Sequence, residues 1–200
     1  MSKHIIVFAK NPELGKVKTR LAATIGKEKA LEAYKHLLKH TEDVIKESNI
    51  PCTVYFTSDT EEPSVFNDHH FNKALQIEGN LGEKMSAAFQ DQFQQGVDSV
   101  VIIGTDCYSI QATHIQEAFI QLVENDFVIG PANDGGYYLL GMKEFCPEIF
   151  DGINWSTETV LEETLSRIKS MNKKTVLLEE LVDVDHEHEL GTLRQLIFNS

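Results

Sequence analysis

The sequence predicts an α/β protein with a mostly parallel β-sheet covered on both faces by helices, a three-layer αβα arrangement. Three observations carry this expectation. Val100-Val101-Ile102-Ile103 is an unbroken run of β-branched residues, the pattern of a strand buried on both faces. Strand-like runs alternate with amphipathic helical segments along almost the whole chain, which favours parallel strands joined by helical crossovers. Two hundred residues, 42% hydrophobic and 24% charged, suit one domain with a sizeable core, and no internal repeat, low-complexity tract or linker divides 1–200.

The elements follow in order. Ile5, Ile6, Val7 and Phe8 make 4–9 the first strand. Pro12 and Gly15 make 10–16 a loop, and 20–26 is a short helix ended by Gly26. Residues 27–47 form a long amphipathic helix, with Ala30, Tyr34, Leu37, Leu38, Thr41, Val44 and Ile45 on one face. A second strand covers 52–57. The polar stretch 58–72, with Pro63 and His69-His70, reads as a loop; on a strand two adjacent histidines could not share one metal. A third strand covers 74–77. Asn80 then caps a helix with Glu83 at capping-box spacing. Leu81, Met85, Ala88, Phe89 and Phe93 mark its buried face, and Gly96 closes it. After the strand at 100–103, residues 113–124 form a helix with Ile115, Ala118, Phe119, Leu122 and Val123 inward. Strand 127–130 leads through Pro131-Ala132-Asn133-Asp134-Gly135-Gly136 into a return strand, 137–142, of antiparallel sense. A helix over 157–171 takes Ser156 as its cap. Residues 175–178 form a late strand, and a final helix starting at Asp185 or a neighbour carries Leu190, Leu193, Leu196 and Ile197.

Composition excludes several function classes. A net charge of −13 argues against nucleic-acid binding. Residues 1–46 nevertheless carry ten Lys/Arg against five Asp/Glu, so an anion site is expected there. No apolar run approaches the ~20 residues of a membrane span, and no signal peptide is expected at the start. Cys52, Cys107 and Cys146 are odd in number and far apart, which fits reduced thiols in a cytoplasmic protein.

Candidate chemistry gathers where strands end. Gly104-Thr105-Asp106 follows the central strand at its carboxyl end, the edge at which open α/β sheets bind ligands. Asp106 there is either a ligand to a divalent cation or the cap of the following turn. The loop after the first strand holds Lys10, Lys16, Lys18 and Arg20 and opens onto a helix, an arrangement suited to phosphate. It is neither a Walker A loop nor GxGxxG. Asp183-Val184-Asp185-His186-Glu187-His188 offers four readings: a zinc site, acids favouring a helix N-terminus, a DxD phosphatase nucleophile (for which the single helix that follows leaves too little room), or a second metal ligand opposite Asp106. Asp134-Gly135-Gly136-Tyr137 joins a carboxylate to a turn that permits close backbone approach. Trp155, the sole tryptophan, is either core or a platform for an acceptor.

These stretches, with Phe8-Ala9-Lys10-Asn11-Pro12, Gly79-Asn80-Leu81-Gly82-Glu83-Lys84-Met85 and Trp155-Ser156-Thr157, resemble a family of small bacterial glycosyltransferase-like proteins. That family, formerly a domain of unknown function with some members tied to arsenosugar biosynthesis, has the nucleotide-diphospho-sugar transferase (GT-A) fold. The match runs nearly end to end and in order. It departs at Tyr108, where the family pattern usually has Pro. More distantly the chain is similar to the guanylyltransferases of molybdenum-cofactor and coenzyme F420 synthesis.

The resemblance implies roles. Phe8, Ala9, Lys10, Gly15, Lys18 and Arg20 would hold a donor's nucleotide and phosphates, and Gln76 with Gly79 and Gly82 would approach its base. Asp106 would bind Mg²⁺ or Mn²⁺, with Asp185 or Asp183 as the second ligand. Asp134, also a candidate catalytic residue, would face a small-molecule acceptor with Gly135, Gly136, Tyr137 and Trp155. Three functions stay open: glycosyl transfer from a nucleotide sugar, nucleotidyl transfer from an NTP with release of pyrophosphate, and nucleotide binding without turnover. Between Asp106 and Leu165 the one Lys/Arg is Lys143, which favours a neutral acceptor and glycosyl transfer. The oligomeric state is left open.

Overall fold

The computed structural model describes residues 1–60 and 65–198. Seven strands form one sheet in the order β3-β2-β1-β4-β6-β5-β7. These are β1 (Lys3–Ala9), β2 (Cys52–Phe56), β3 (Phe71–Leu75), β4 (Ser99–Ile103), β5 (Phe127–Pro131), β6 (Tyr137–Met142) and β7 (Thr175–Leu177). β1 lies parallel to β2 and to β4, with Val7 opposite Val54 and Ile103. β3 is parallel to β2, and β7 to β5. β6 runs antiparallel to both its neighbours, as the turn at 131–136 predicts.

Every residue of β4 is buried, and alternate side chains feed different layers. Val101 and Ile103 join a cluster with Leu37, Leu38, Ile115 and Phe119, from α2 (Lys27–Ser48) and α4 (Ala112–Gln121). Val100 and Ile102 join one with Met85, Phe89 and Ile168, from α3 (Leu81–Gln94) and α5 (Val160–Ser170). This is the three-layer αβα fold that the double burial of the central strand requires. α1 (Thr19–Ile25) ends at Gly26 as expected, and α6 (Leu193–Phe198) closes the chain. Among the described residues no helix is long and apolar enough to cross a membrane.

Several boundaries differ from the sequence reading. β3 begins at Phe71 and ends before Ile77. Pairing with β2 and an edge contact between Phe71 and Phe66 (5.1 Å) override the polar Asn72 and Lys73. Pro63, expected in the preceding loop, lies outside the described residues. α5 starts at Val160, and Ser156 is not its cap: Ser156 has a left-handed backbone (φ 66°) within a separately hydrogen-bonded segment. The expected last helix is split. A 3-10 turn, Glu187–Glu189, is followed by Gly191 at φ 49°, and α6 starts only afterwards. Leu81, Val123 and Leu196, expected inward, are exposed, because helical periodicity gives a face but not where the covering layer ends.

Candidate functional site

A cavity of about 710 Å³ opens at the carboxyl ends of β1 and β4. Its floor comes from the first loop and the end of β4, which are fastened to each other. The Tyr34 hydroxyl, from α2, donates to Lys10 O (3.1 Å), accepts from Lys10 N (2.8 Å) and lies 3.3 Å from Thr105 Oγ1. Burial holds this phenol above its usual range. Asn11 ties the same loop to the end of β2: its Oδ1 accepts from Ser58 N (3.0 Å), and its Nδ2 donates to Asp59 O (2.9 Å). Val17 and Leu21 anchor the far side of the loop in the core.

The chain's late segment lies across the strand ends. Cys107 and Asp183 form an antiparallel bridge, Ala132 and Leu181 a parallel one, and Val184 N donates to Asp106 O (2.9 Å). Asp183 and Asp185 are thereby brought to Asp106, some eighty positions away in sequence. Lys18 completes the group. It precedes α1 in a left-handed conformation (φ 47°, ψ 47°), and its side chain is only 3% exposed. Its Nζ lies 2.6 Å from Asp106 Oδ1 and 3.1 Å from Asp185 Oδ1. Arg20 Nη1 holds the other oxygen of Asp185 at 3.1 Å.

The electrostatics follow from this packing. Burial opposes the charge on Lys18, but Asp106 and Asp185 outweigh it and raise its pKa. Burial also opposes the charge on Asp185, and Lys18 and Arg20 override it, lowering that pKa. Asp183 is different. Burial, then repulsion from Asp106, pushes it up to about 7, and its Oδ1 is buried without a hydrogen-bond partner.

The opposite wall is a strap over 154–159. Glu163 of α5 pins it, accepting from Asn154 N (2.7 Å), Asn154 Nδ2 (2.9 Å) and Thr159 Oγ1 (2.8 Å). Two glycines receive the strap. A Cβ on Gly82 would lie 2.5 Å from Trp155 Nε1, and one on Gly135 would collide with the Glu158 carbonyl. Leu161 N also donates to Gly135 O (2.9 Å). Trp155 is half-buried; one side packs on Phe150 (6.4 Å between centroids), while the residue lines the cavity. It is part of the core's rim and of the cleft wall at once.

Of the residues singled out by sequence, Phe8, Lys10, Lys18, Arg20, Gln76, Asp106, Asp134, Gly136, Tyr137, Trp155, Asp183 and Asp185 line the cavity. Gln76 is fixed by donating to Tyr55 O (3.0 Å), and Asp134 Oδ1 accepts from Gly136 N (2.9 Å) in a local turn. Ala9 is instead core, Gly15 faces the Lys27 side chain, and Gly79 faces Glu83. Gly82 and Gly135 act through the strap. Lys84 stands in the 79–85 stretch that carries the resemblance, but no role was expected of it. It lies outside 106–165, yet it lines the same cavity, and among the described residues it has no ion pair. Helix α3 crosses the sheet between β3 and β4 and brings it there, a juxtaposition without a local sequence signal. Its neighbours Leu81 and Met85 line the cavity too.

The zinc alternative at 183–188 does not gather its ligands. Among the described residues, three such groups converge within 4.8 Å at Asp68, His69 and His70, on the loop before β3 and outside this cavity. There Lys46 Nζ already pairs with Asp68 at 2.7 Å.

Comparison with known proteins fits this architecture. A crystal structure of a protein from Desulfovibrio desulfuricans G20, provisionally named a nucleotide-diphospho-sugar transferase, superimposes with a TM-score of 0.90 at 32% identity; the alignment covers 100% of this chain and 90% of that one. CMP:2-keto-3-deoxy-manno-octonic acid synthetase in complex with CTP shares the fold (TM-score 0.61, 9% identity, 100% and 99% covered). So does Rv0371c from Mycobacterium tuberculosis H37Rv in complex with manganese (TM-score 0.60, 10% identity, 100% and 99% covered). No curated protein matches the sequence. Residues 40–157 match the family model described as uncharacterized protein conserved in bacteria, and the identity and coverage of the Desulfovibrio protein agree with it: the chain belongs to the DUF2064 family.

Proposed function

We propose that the protein is a metal-dependent glycosyltransferase that moves a sugar from a nucleoside-diphosphate donor to a small acceptor. The observation that carries this reading is the convergence of Asp106, Asp183 and Asp185 with Lys18 and Arg20 at the carboxyl ends of β1 and β4. A diphosphate needs such a mixture of fixed cations and carboxylates that can hold a hard metal ion. The name of the Desulfovibrio relative supports the donor class.

The donor set fits Mg²⁺ or Mn²⁺. All candidate ligands are carboxylate oxygens, two of them already share one cationic group, and Asp183 Oδ1 is a buried oxygen without a partner. Asp106 would hold the ion with Asp185 or Asp183, and the bound ion would neutralise charge growing on the departing diphosphate. Arg20, 64% exposed at the cleft mouth, is placed to grip phosphate oxygens in bidentate fashion. Gln76 donates one amide hydrogen to the sheet, so its Oε1 is left to accept from the donor's base. Asp134 and Trp155 line the side of the cleft where an acceptor would enter, and the strap limits water there.

Lys84 gives nucleotidyl transfer a specific claim. Lys84 lines the cavity without a carboxylate partner among the described residues, so a phosphorylated acceptor would have a cation on that wall to meet. Incubation with Mn²⁺ and panels of nucleotide sugars and NTPs separates the two. Release of a nucleoside diphosphate from one sugar donor is the expected result. Pyrophosphate release that depends on a phosphorylated acceptor, and that Lys84→Ala abolishes, would establish the second reading. Nucleotide binding without release of either product would leave a binding module.

A further inference from the structure

Lys18 sits where two acidic side chains would share a cation. Its Nζ is within 2.6 Å of Asp106 and 3.1 Å of Asp185, and Asp183 lines the same pocket with a buried, unpartnered oxygen. The lysine ammonium is held there by its two carboxylate partners. Its stem is buried, and its backbone takes a left-handed conformation that disfavours any residue with a Cβ. Such a conformation persists only where the surroundings enforce it. Without an ammonium, Asp106 and Asp185 would face each other across one seat with Asp183 lining the same cavity, and Arg20 pairs only with Asp185.

We propose that Lys18 is a resident counter-cation: it neutralises the acidic cluster in the ligand-free protein, is displaced when a divalent ion binds, and is then free to engage the donor's diphosphate. This rests on the metal-dependent reading above. The argument is electrostatic. A divalent ion held by Asp106 and Asp185 and an ammonium bonded to the same oxygens repel each other strongly across a few ångströms of half-buried protein. The two cannot share the seat. The ammonium is a compact charge on a four-carbon stem and can swing away; the stacked, planar guanidinium of an arginine could do so less readily. A displaced lysine in a buried setting needs a new anion, and the diphosphate is the one that arrives with the metal. Metal alone should therefore bind weakly and metal with diphosphate tightly, each strengthening the other by the same factor. Lys18 is in this sense a positioning residue for the metal as well as a ligand for phosphate.

The test uses Mn²⁺ alone, followed by electron paramagnetic resonance of the free ion, on the full chain and on Lys18→Met, which keeps the stem and removes the charge. Lys18→Met should bind Mn²⁺ about tenfold more tightly or better, since no competitor has to leave. The gain in Mn²⁺ affinity on adding GDP, UDP, ADP or CDP should shrink in the variant. Equal or weaker Mn²⁺ binding by Lys18→Met overturns the proposal and leaves the metal reading standing. Failure of both proteins to bind Mn²⁺, with or without those nucleotides, overturns both. If Lys18→Met does not fold, ¹⁵N resonances of the lysine side chains in the unmutated protein decide the matter. Saturating Mg²⁺ without nucleotide should shift the Lys18 Nζ signal out of its carboxylate-bonded position, and an unmoved signal overturns the proposal.

Discussion

On one side of the cleft, Lys18, Arg20, Asp106 and Asp185 arrive from three separate stretches of chain and are held to one another by charge, with Asp183 beside them on its backbone bridge to Cys107. On the other, the 154–159 strap is held by shape, seated on Gly82 and Gly135 and pinned through Glu163. The charged wall has partners that can be exchanged, one cation for another, because its contacts depend on sign and distance. The strap wall has no such freedom, because a glycine contact is filled by a single methyl group. The first wall is therefore suited to binding and release, and the second to fixing where a bound group stops. Substitutions should affect them differently: binding and turnover on the charged side, stability and cleft shape on the strap side.

The largest effect is expected at Asp106. Asp106→Asn should lower turnover by about 10²-fold or more, the scale of a lost electrostatic stabiliser, and abolish metal-dependent nucleotide binding. Its side chain is 44% exposed and Lys18 keeps Asp185 as a partner, so the melting temperature should change little. A variant with full metal binding and turnover would remove Asp106 from the site. Gly135→Ala should do the reverse. Its φ of 86° is unfavourable for alanine and its Cβ meets backbone, not a movable side chain. A loss of about 3 kcal/mol in unfolding free energy is expected from strain and overpacking together, measured by urea denaturation. A neutral result would mean that the strap simply lifts, and the contrast between the walls would fail.

Asp183 sharpens the comparison through pH. Its pKa is raised from 3.8 to about 7 in the folded protein, so its contribution to stability is complete below the unfolded value and is lost as pH rises through about 7. Asp183→Asn mimics the protonated form at every pH. It should melt at a higher temperature than the parent at about pH 8, and the two should converge near pH 4. Asp185 has the opposite sign: its pKa is lowered, so its stabilising contribution is present at neutral pH and fades only as pH falls below the ordinary carboxylate range. Parallel melting curves for Asp183→Asn and the parent across this range would show that Asp183 is not charged against its surroundings.

The same contrast explains what the sequence made legible. The central strand, the first loop and Asp106 were readable because buried parallel strands leave continuous β-branched runs, and their ends are where loops must carry polar residues. The charged partners Asp183 and Asp185 were visible as acids, but a run such as Asp183–His188 is ambiguous until a bridge to Cys107 fixes its direction. Ionic pairing of Lys18 with Asp106 and Asp185, beside any phosphate-binding role, has no sequence signature at all. The strap wall was read less well. Ser156 looked like a helix cap because cap chemistry is local, whereas the left-handed turn that excludes it from the helix is imposed by Glu163 and by the seat on Gly135. Lys84 has no local signal, because α3 carries it across the sheet to a cavity whose other residues lie far from it in sequence.

The smallest and most diagnostic effect is expected at Gly82. A methyl group there would lie 2.5 Å from Trp155 Nε1 and 2.6 Å from Cε2 and Cζ2, so something must move. The glycine sits in the first turn of α3, where alanine is the better helix former by about 1 kcal/mol. The indole is at the rim, half-buried, and its ring can tilt toward solvent without opening the core. The two effects oppose each other, and Gly82→Ala should change the unfolding free energy by no more than about 1 kcal/mol in either direction. The tilt is directly visible, because Trp155 is the sole tryptophan. Its emission should shift to the red and become more accessible to iodide. Binding of Mn²⁺ and nucleoside diphosphate, which we propose to rest on the charged wall, should stay within about threefold of the parent, as additivity predicts for separate sites. An unchanged emission spectrum would mean that α3 yields instead of the indole. A large loss of nucleotide binding would mean that the two walls are mechanically one.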